Sequence, residues 1–375
     1  MISIFSNSLG QEELSAIKDV FDSKWLGASN KTLEFEKQFG ELLNSKYSLS
    51  YNCATNAIYD SIRLVGIEDG DEVLIPSINF IGCANAIIRN GGKPIFCDVD
   101  KNTLNILPEE ISKKRTDKTK AVLLLHYGGH PCDMDKIREV CDGLTIIEDS
   151  ANSVYSSYKG QYCGTMGDIG CFSFDAMKIL VVGDGGMMTF QNEEFYERAL
   201  SYRYLGLDGK EQSGVDSMKD GKDIWWQPNL VETAGKYISN DIASTIGLQQ
   251  LKKLNGFIER RKEIWDIYKS ELSDIDWITL PPEPLDGCTS SYYLFWLQME
   301  DRDNFARYMV ANDIYVTFRY YPLHLIKHYD SWDTQLPNVE WVNDRTINIP
   351  LHQNLTDDEI GYIIKTIKKY KRLLR

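Results

Sequence analysis

One lysine in the 375-residue chain has an unusual setting. Lys178 has Met177 before it and Ile179-Leu180-Val181-Val182 after it. Burying an ammonium among apolar neighbours is costly, and burial lowers a lysine pKa. The free amine that results is a nucleophile toward carbonyl carbon. The plain alternative is a strand whose lysine reaches back to water. Gly183-Asp184-Gly185-Gly186 follows, where the backbone can turn sharply or approach another group closely.

Asp149 closes the apolar run Leu144-Thr-Ile-Ile-Glu-Asp149. A strand-end acid is often only a cap, but together with the lysine of the later apolar run it suggests pyridoxal phosphate chemistry. That cofactor needs a lysine for a Schiff base and a carboxylate that keeps the pyridine nitrogen protonated, so that the ring acts as an electron sink. It also needs a flat side chain on one ring face and a helix N-terminus with hydroxyls for the phosphate. Lys178, Asp149, Phe80 and Ala54-Thr55 offer these functions. Each alone has a plainer reading: Thr55 as an ordinary helix start, Phe80 as core.

The elements that must position these residues read as alternating strands and helices. Ser48 to Cys53 is a short strand, and Thr55 opens a helix through Ile58, Ile62 and Leu64. Asp71–Pro76, Pro94–Asp98, Ala121–His126 and Leu144–Asp149 read as strands, with a helix over Gly82–Asn90. This rhythm implies βαβ units and a largely parallel sheet. Such sheets bind ligands beyond the carboxyl ends of their strands. Thr55, Phe80, His126 and Asp149 all fall there.

Outside that core, Gln11–Phe21 and Thr32–Asn44 read as helices. Ala199–Trp226 reads as a loop excursion. Asn240–Leu254 and Gly256–Leu272 read as consecutive helices, and Tyr292–Met299 and Ile314–Phe318 as strands around a helix over Asp303–Val310. The last ~20 residues read as a helix with acids first and bases last, matching its dipole. A large domain over residues 1–250 and a smaller α+β domain over 251–375 are expected.

The composition is 43% hydrophobic and 26% charged, which is ordinary for a globular chain. A net charge of -14 repels phosphate backbones, so nucleic acid is not an expected partner. Apolar runs such as Ala121–Leu125 fall far short of the ~20 residues that cross a bilayer. The first residues lack a basic start and a long apolar stretch, so neither a signal peptide nor a membrane association is expected. The eight cysteines are scattered without metal-like spacing. They read as free thiols in a reducing cytoplasm, with no metal.

Several segments together carry a family resemblance. They are Gly66-Ile-Glu-Asp-Gly-Asp-Glu-Val-Leu-Ile-Pro-Ser-Ile-Asn-Phe80, Pro94-Ile-Phe-Cys-Asp-Val-Asp100, Glu148-Asp-Ser-Ala151 and Gly167-Asp-Ile-Gly-Cys-Phe-Ser-Phe174 through Lys178. Ile246-Gly-Leu-Gln-Gln-Leu251, Tyr321-Pro-Leu-His324 and Ile349-Pro-Leu-His352 complete the set. Over nearly its whole length the chain resembles the DegT/DnrJ/EryC1/StrS family of sugar aminotransferases. The resemblance implies the aspartate aminotransferase-like fold and pyridoxal 5'-phosphate, with pyridoxamine 5'-phosphate between half-reactions. It implies L-glutamate as donor and a keto-deoxysugar, nucleotide-linked, as acceptor.

By position, the resemblance gives Lys178 the Schiff base and proton transfer, and Asp149 the pyridinium. It gives Ala54, Thr55 and Ser173 the phosphate, and Phe80 the ring face. Asn152 stands where the family has Gln or His near the ring's phenolic oxygen. Lys236 matches a position that reaches the neighbouring subunit's phosphate, which implies a homodimer with a shared site; a solvated lysine is the alternative. His324, Tyr321, Arg319 and Trp25 are candidate sugar or anion contacts, with Trp25 to Ala28 as a lid. His126 and His130 either line the same pocket or cap a turn. Relatives with His in place of the lysine are sugar dehydratases, and a non-catalytic regulator on this fold is a further alternative. Lysine at 178 argues for transamination.

Overall fold

Short runs of Val, Ile and Leu set the sheet. The computed structural model describes residues 1–208, 226–329 and 334–370. In chain order the strands are β1 (Tyr47–Tyr51), β2 (Glu72–Pro76), β3 (Lys93–Cys97), β4 (Thr119–Leu125) and β5 (Thr145–Asp149). A short hairpin, β6 (Ser157–Tyr158) and β7 (Gln161–Tyr162), precedes β8 (Ile169–Ser173) and β9 (Gly186–Phe190). The central sheet has the order β1-β9-β8-β5-β4-β2-β3. Its neighbours pair in parallel except at β9, which runs antiparallel to β1 and β8. The expected α/β fold with a mostly parallel sheet is what the chain forms.

Helices cover both faces, so the strands are apolar on both sides. In β4, Ala121, Leu123 and Leu125 join one core, while Val122 and Leu124 join the other. The helices are α1 (Gln11–Asp22), α2 (Asn30–Leu43), α3 (Ala54–Val65), α4 (Ile81–Arg89), α5 (Pro108–Lys114), α6 (Met134–Val140) and α7 (Glu193–Arg203). α3 turns Ala57, Ile58, Ile62 and Leu64 inward. It stops at Gly66, whose φ of +79° suits the left-handed position that ends a helix.

α8 (Asp241–Leu272) is one helix of 32 residues, not two. The domain division expected at 250/251 falls inside it, where Gln250 is buried and donates to Glu13 Oε1 at 2.7 Å. The rest comprises β10 (Phe295–Gln298), α9 (Arg302–Ala311), α10 (Pro337–Arg345), β11 (Thr346–Ile349) and α11 (Asp357–Tyr370). The partner of β10 is β11, in antiparallel register from Phe295↔Ile349 to Gln298↔Thr346. This corrects the reading of Ile314–Phe318 as a strand. That segment makes only isolated bridges, Ile2↔Ile314 and Thr317↔Asn348. The loop expected from Ala199 begins as the end of α7 instead. Residues 209–225, with Gly209, Gly214, Gly221 and Trp225, lie outside the described residues, as do 371–375 at the chain's basic end.

Candidate active site

The carboxyl ends of β1, β2, β5 and β8 meet at one edge of the sheet. Pairing Leu125↔Asp149 and Asp149↔Cys171 aligns these ends. A cleft there is lined by Ala54, Thr55, Phe80, Asp149, Ser173, Lys178 and Arg319, together with Tyr320. Seven sequence candidates therefore come together. A larger groove between α8 and α11 holds Ile267, Ile360, Ile364 and scattered surface charges, with no constellation for chemistry.

Asp149 is 1% exposed. Its Oδ1 accepts from the Ala151 amide at 3.0 Å and its Oδ2 from the Cys83 thiol at 3.4 Å. Burial pushes its pKa up, and the Ala151 amide, Lys178 and Cys83 only partly offset this. A buried carboxylate in this state favours a cationic partner.

Lys178 lies in the loop between β8 and β9 and is 9% exposed. Its Nζ donates to Asn152 Oδ1 at 3.1 Å and sits 4.8 Å from the centroid of the Tyr293 ring. Burial is the largest single influence and lowers its pKa, but Tyr293, Tyr320 and Asp149 together outweigh it, so the net shift is upward. This corrects the expectation of an amine deprotonated by greasy surroundings. Ile179, Leu180, Val181 and Val182 are buried core residues. Neighbours in sequence, they are not the groups around the amine.

The phosphate candidates sit at the start of α3. Its cap residue, Cys53, supplies no side-chain hydrogen bond, so the first-turn amides have no partner within the helix. Gly186 presses against them. A Cβ at that position would stand 2.6 Å from Ala54 N and 2.7 Å from the Cys53 carbonyl carbon. Ser173 pairs with Gly186 across β8 and β9. Open amides flanked by the hydroxyls of Thr55 and Ser173 form an anion seat.

Phe80 precedes α4 and is 41% exposed, with its ring 6.1 Å from Tyr320 at 62°. Asn152 is buried, and its Nδ2 has no hydrogen-bond partner among the described residues. An orphaned donor beside the reactive amine fits a ring oxygen. Arg319 packs against Met177 Sδ at 3.1 Å and lies 4.7 Å from the Phe5 ring. Taken together, the uncapped helix, the close approach of Gly186 to it, the cation-seeking Asp149 and the orphaned Asn152 amide fit pyridoxal phosphate.

Other candidates lie outside this cleft. Tyr321 and Trp25 are exposed at 55% and 61%, and it is Tyr320 that lines the cleft. Lys236 is exposed and stands 5.9 Å from the Tyr204 ring. His324 is buried, with Nδ1 2.7 Å from Ser77 Oγ and its amide donating to the same oxygen at 3.1 Å. It fastens the segment after Tyr321 to the end of β2. His126 is also a clamp: its Nδ1 accepts from the Cys132 amide at 3.0 Å, so Nε2 carries the proton that faces Glu148 Oε2 at 2.8 Å. His130 Nε2 meets the Pro282 carbonyl at 3.0 Å. Of the two readings open for His126 and His130, the turn-clamping one matches their contacts.

Sequence reasoning missed Cys83 and Tyr293. Both lie in apolar runs that read as core. Nothing in the sequence sets Tyr293 apart from the aromatic residues beside it.

The sequence matches the family model of the DegT/DnrJ/EryC1/StrS aminotransferase family over residues 7–368. It is 41% identical to a dTDP-4-dehydro-2,3,6-trideoxy-D-glucose 4-aminotransferase of Saccharopolyspora spinosa, covering 98% of this chain and 96% of that one. It is 30% identical to a GDP-perosamine synthase of Escherichia coli O157:H7, covering 98% of each. Among solved structures, the aminotransferase TlmJ of Streptoalloteichus hindustanus superposes with a TM-score of 0.94 at 41% identity, covering 100% of both chains. The family model over residues 7–368 and the 41% identity along nearly the whole chain place the protein in the DegT/DnrJ/EryC1/StrS aminotransferase family.

Proposed function

We propose that this enzyme is a pyridoxal phosphate-dependent sugar aminotransferase. It takes the amino group of L-glutamate and delivers it to the keto carbon of a nucleotide-linked deoxysugar. The bound cofactor supplies an electron sink and carries the amino group between the two substrates. Lys178 would hold it through Nζ and, once released, would move one proton from the donor carbon to the cofactor in the first half and one from the cofactor to the acceptor carbon in the second. Asp149 holds a positive charge at the pyridine nitrogen. The α3 amides, Thr55 and Ser173 hold the phosphate, Phe80 covers a ring face, and Asn152 donates to the ring oxygen. Arg319 is the cation in the cleft for the substrate's carboxylate or phosphate groups.

The acceptor keto group is at C4 in this proposal, following the name of the relative at 41% identity. Lys236, exposed and not among the residues that line its own cleft, is read as reaching the phosphate seat of the second subunit in a homodimer. The net charge of -14 supports no nucleic acid partner. Among the described residues no helix is long and apolar enough to cross a membrane, and none form a metal-holding group. A cytoplasmic setting suits eight free cysteines.

The convergence of Lys178 and Asp149 on the open end of α3 carries this reading. In Lys178→Ala the visible absorbance of lysine-linked cofactor should disappear, and transfer should fall at least about 10³-fold. An unchanged spectrum overturns the assignment.

A further inference from the structure

Tyr293 has no part in the chemistry assigned so far. It is fully buried just before β10, held by one ring contact and one main-chain hydrogen bond. The ring stacks on Phe5 at 5.5 Å and 19°, and the Tyr293 amide donates to the Gly128 carbonyl at 3.0 Å. Its hydroxyl has no hydrogen-bond partner among the described residues. The group this residue offers is therefore its face, and that face lies 4.8 Å from Lys178 Nζ.

An aromatic face attracts an ammonium but not a neutral amine. Asn152 Oδ1, at 3.1 Å, accepts from either form. The pair together distinguishes the two protonation states of Lys178. We propose that Tyr293 and Asn152 form a holding position for the Lys178 ammonium, used whenever the amine is not bonded to the cofactor, and that Tyr293 is thereby a positioning residue for Lys178. The proton that Lys178 would take from the donor carbon stays on Nζ against the Tyr293 face until the amine gives it to the cofactor carbon that receives the amino group, which leaves Nζ neutral again. No proton is gained or lost overall.

Other groups around the amine act differently. Asp149 from β5 and Tyr320 favour the cation, while Arg319 opposes it. The charge of Asp149 is matched once a pyridinium is present, so its pull on the ammonium weakens when the cofactor binds. A neutral ring face keeps its effect in both states. The inference rests on the reading of Lys178 as the cofactor lysine.

The test uses the cofactor-free protein, where that reading is not at stake. Competitive labelling of amines with acetic anhydride across pH, read by peptide mass spectrometry, gives the protonation midpoint of Lys178. It is measured for Tyr293→Phe and then for phenylalanines carrying more and more ring fluorines at that position. Fluorination weakens the ring face while keeping the side chain's shape, so folding is preserved. Phenylalanine should leave the midpoint nearly unchanged. Full fluorination should lower the proton affinity about tenfold, one pH unit, in steps along the series. A midpoint that stays constant through the series overturns the proposal. A drop already complete at Tyr293→Phe overturns it too, because the hydroxyl would then be the agent.

Discussion

Asp149 is a carboxylate whose environment suits a cation it does not yet touch. Burial raises its pKa above the ordinary carboxylate value, so ionising Asp149 costs more in the cofactor-free fold than in the unfolded chain. Stability linked to this group is present at low pH and is lost as pH rises through the raised pKa. A pyridinium partner reverses that penalty. The gain in melting temperature on loading with pyridoxal phosphate should therefore be larger at pH 8 than at pH 5. In Asp149→Asn the pH dependence of that gain should vanish. An equal gain at both pH values in the unmodified protein would contradict the pairing. The positions of Lys178, Asp149, Phe80, Thr55 and Ser173 were legible because each follows a strand or opens a helix at one sheet edge. Side-chain direction was not. Tyr320 enters the cleft where Tyr321 was expected, and His324 turns inward to Ser77. Adjacent residues in an irregular segment point by backbone geometry that no periodicity reveals.

At the scale of elements, the anion seat depends on how closely β9 approaches α3. Alanine at Gly186 would place a carbon 2.6 Å from Ala54 N, and the obstruction is backbone, which cannot rotate away. Gly186→Ala should cost about 1–3 kcal/mol in stability. It should also weaken pyridoxal phosphate binding at least tenfold, measured by fluorescence titration. Unchanged affinity would show that the start of α3 is not the seat. β2 to β5 were legible as Val-, Ile- and Leu-rich runs bounded by charge. β9 was not, since Gly186-Met-Met-Thr-Phe190 has no alternation and is buried on both faces. β11 was hidden for a similar reason: Thr346-Ile-Asn-Ile349 is short, and its partner lies far away in the chain. The join inside α8 went unseen because Asn255-Gly256 looks like a break, yet tertiary packing carries the helix through.

At the scale of the whole molecule, two histidines set an acid limit on stability. Burial lowers both His130 and His352 to about 4. Their ordinary value is 6.5, so the unfolded chain binds more protons between those limits. The stability these two histidines contribute is present above pH 6.5 and should fall as pH drops toward 4, against the opposite contribution of Asp60, which burial raises to about 7. His130 alone contributes about 3 kcal/mol to that loss. His130→Gln should flatten the slope of melting temperature against pH in this window, and an unaltered slope would assign the acid limit elsewhere. The fold as a whole was legible from the strand and helix rhythm, and the family from its motifs. The acceptor's identity was not, because it depends on shape in a cleft that the chain closes only after folding. The central claim is transfer of nitrogen, and two half-reactions test it directly. Protein loaded with pyridoxal phosphate is mixed with L-glutamate, freed of small molecules, and then given a nucleotide-linked 4-keto-6-deoxysugar. One equivalent of 2-oxoglutarate in the first step and one of amino sugar in the second, with the starting spectrum restored, is the predicted result. A sugar product that has lost water and gained no nitrogen, or no 2-oxoglutarate at all, would contradict it.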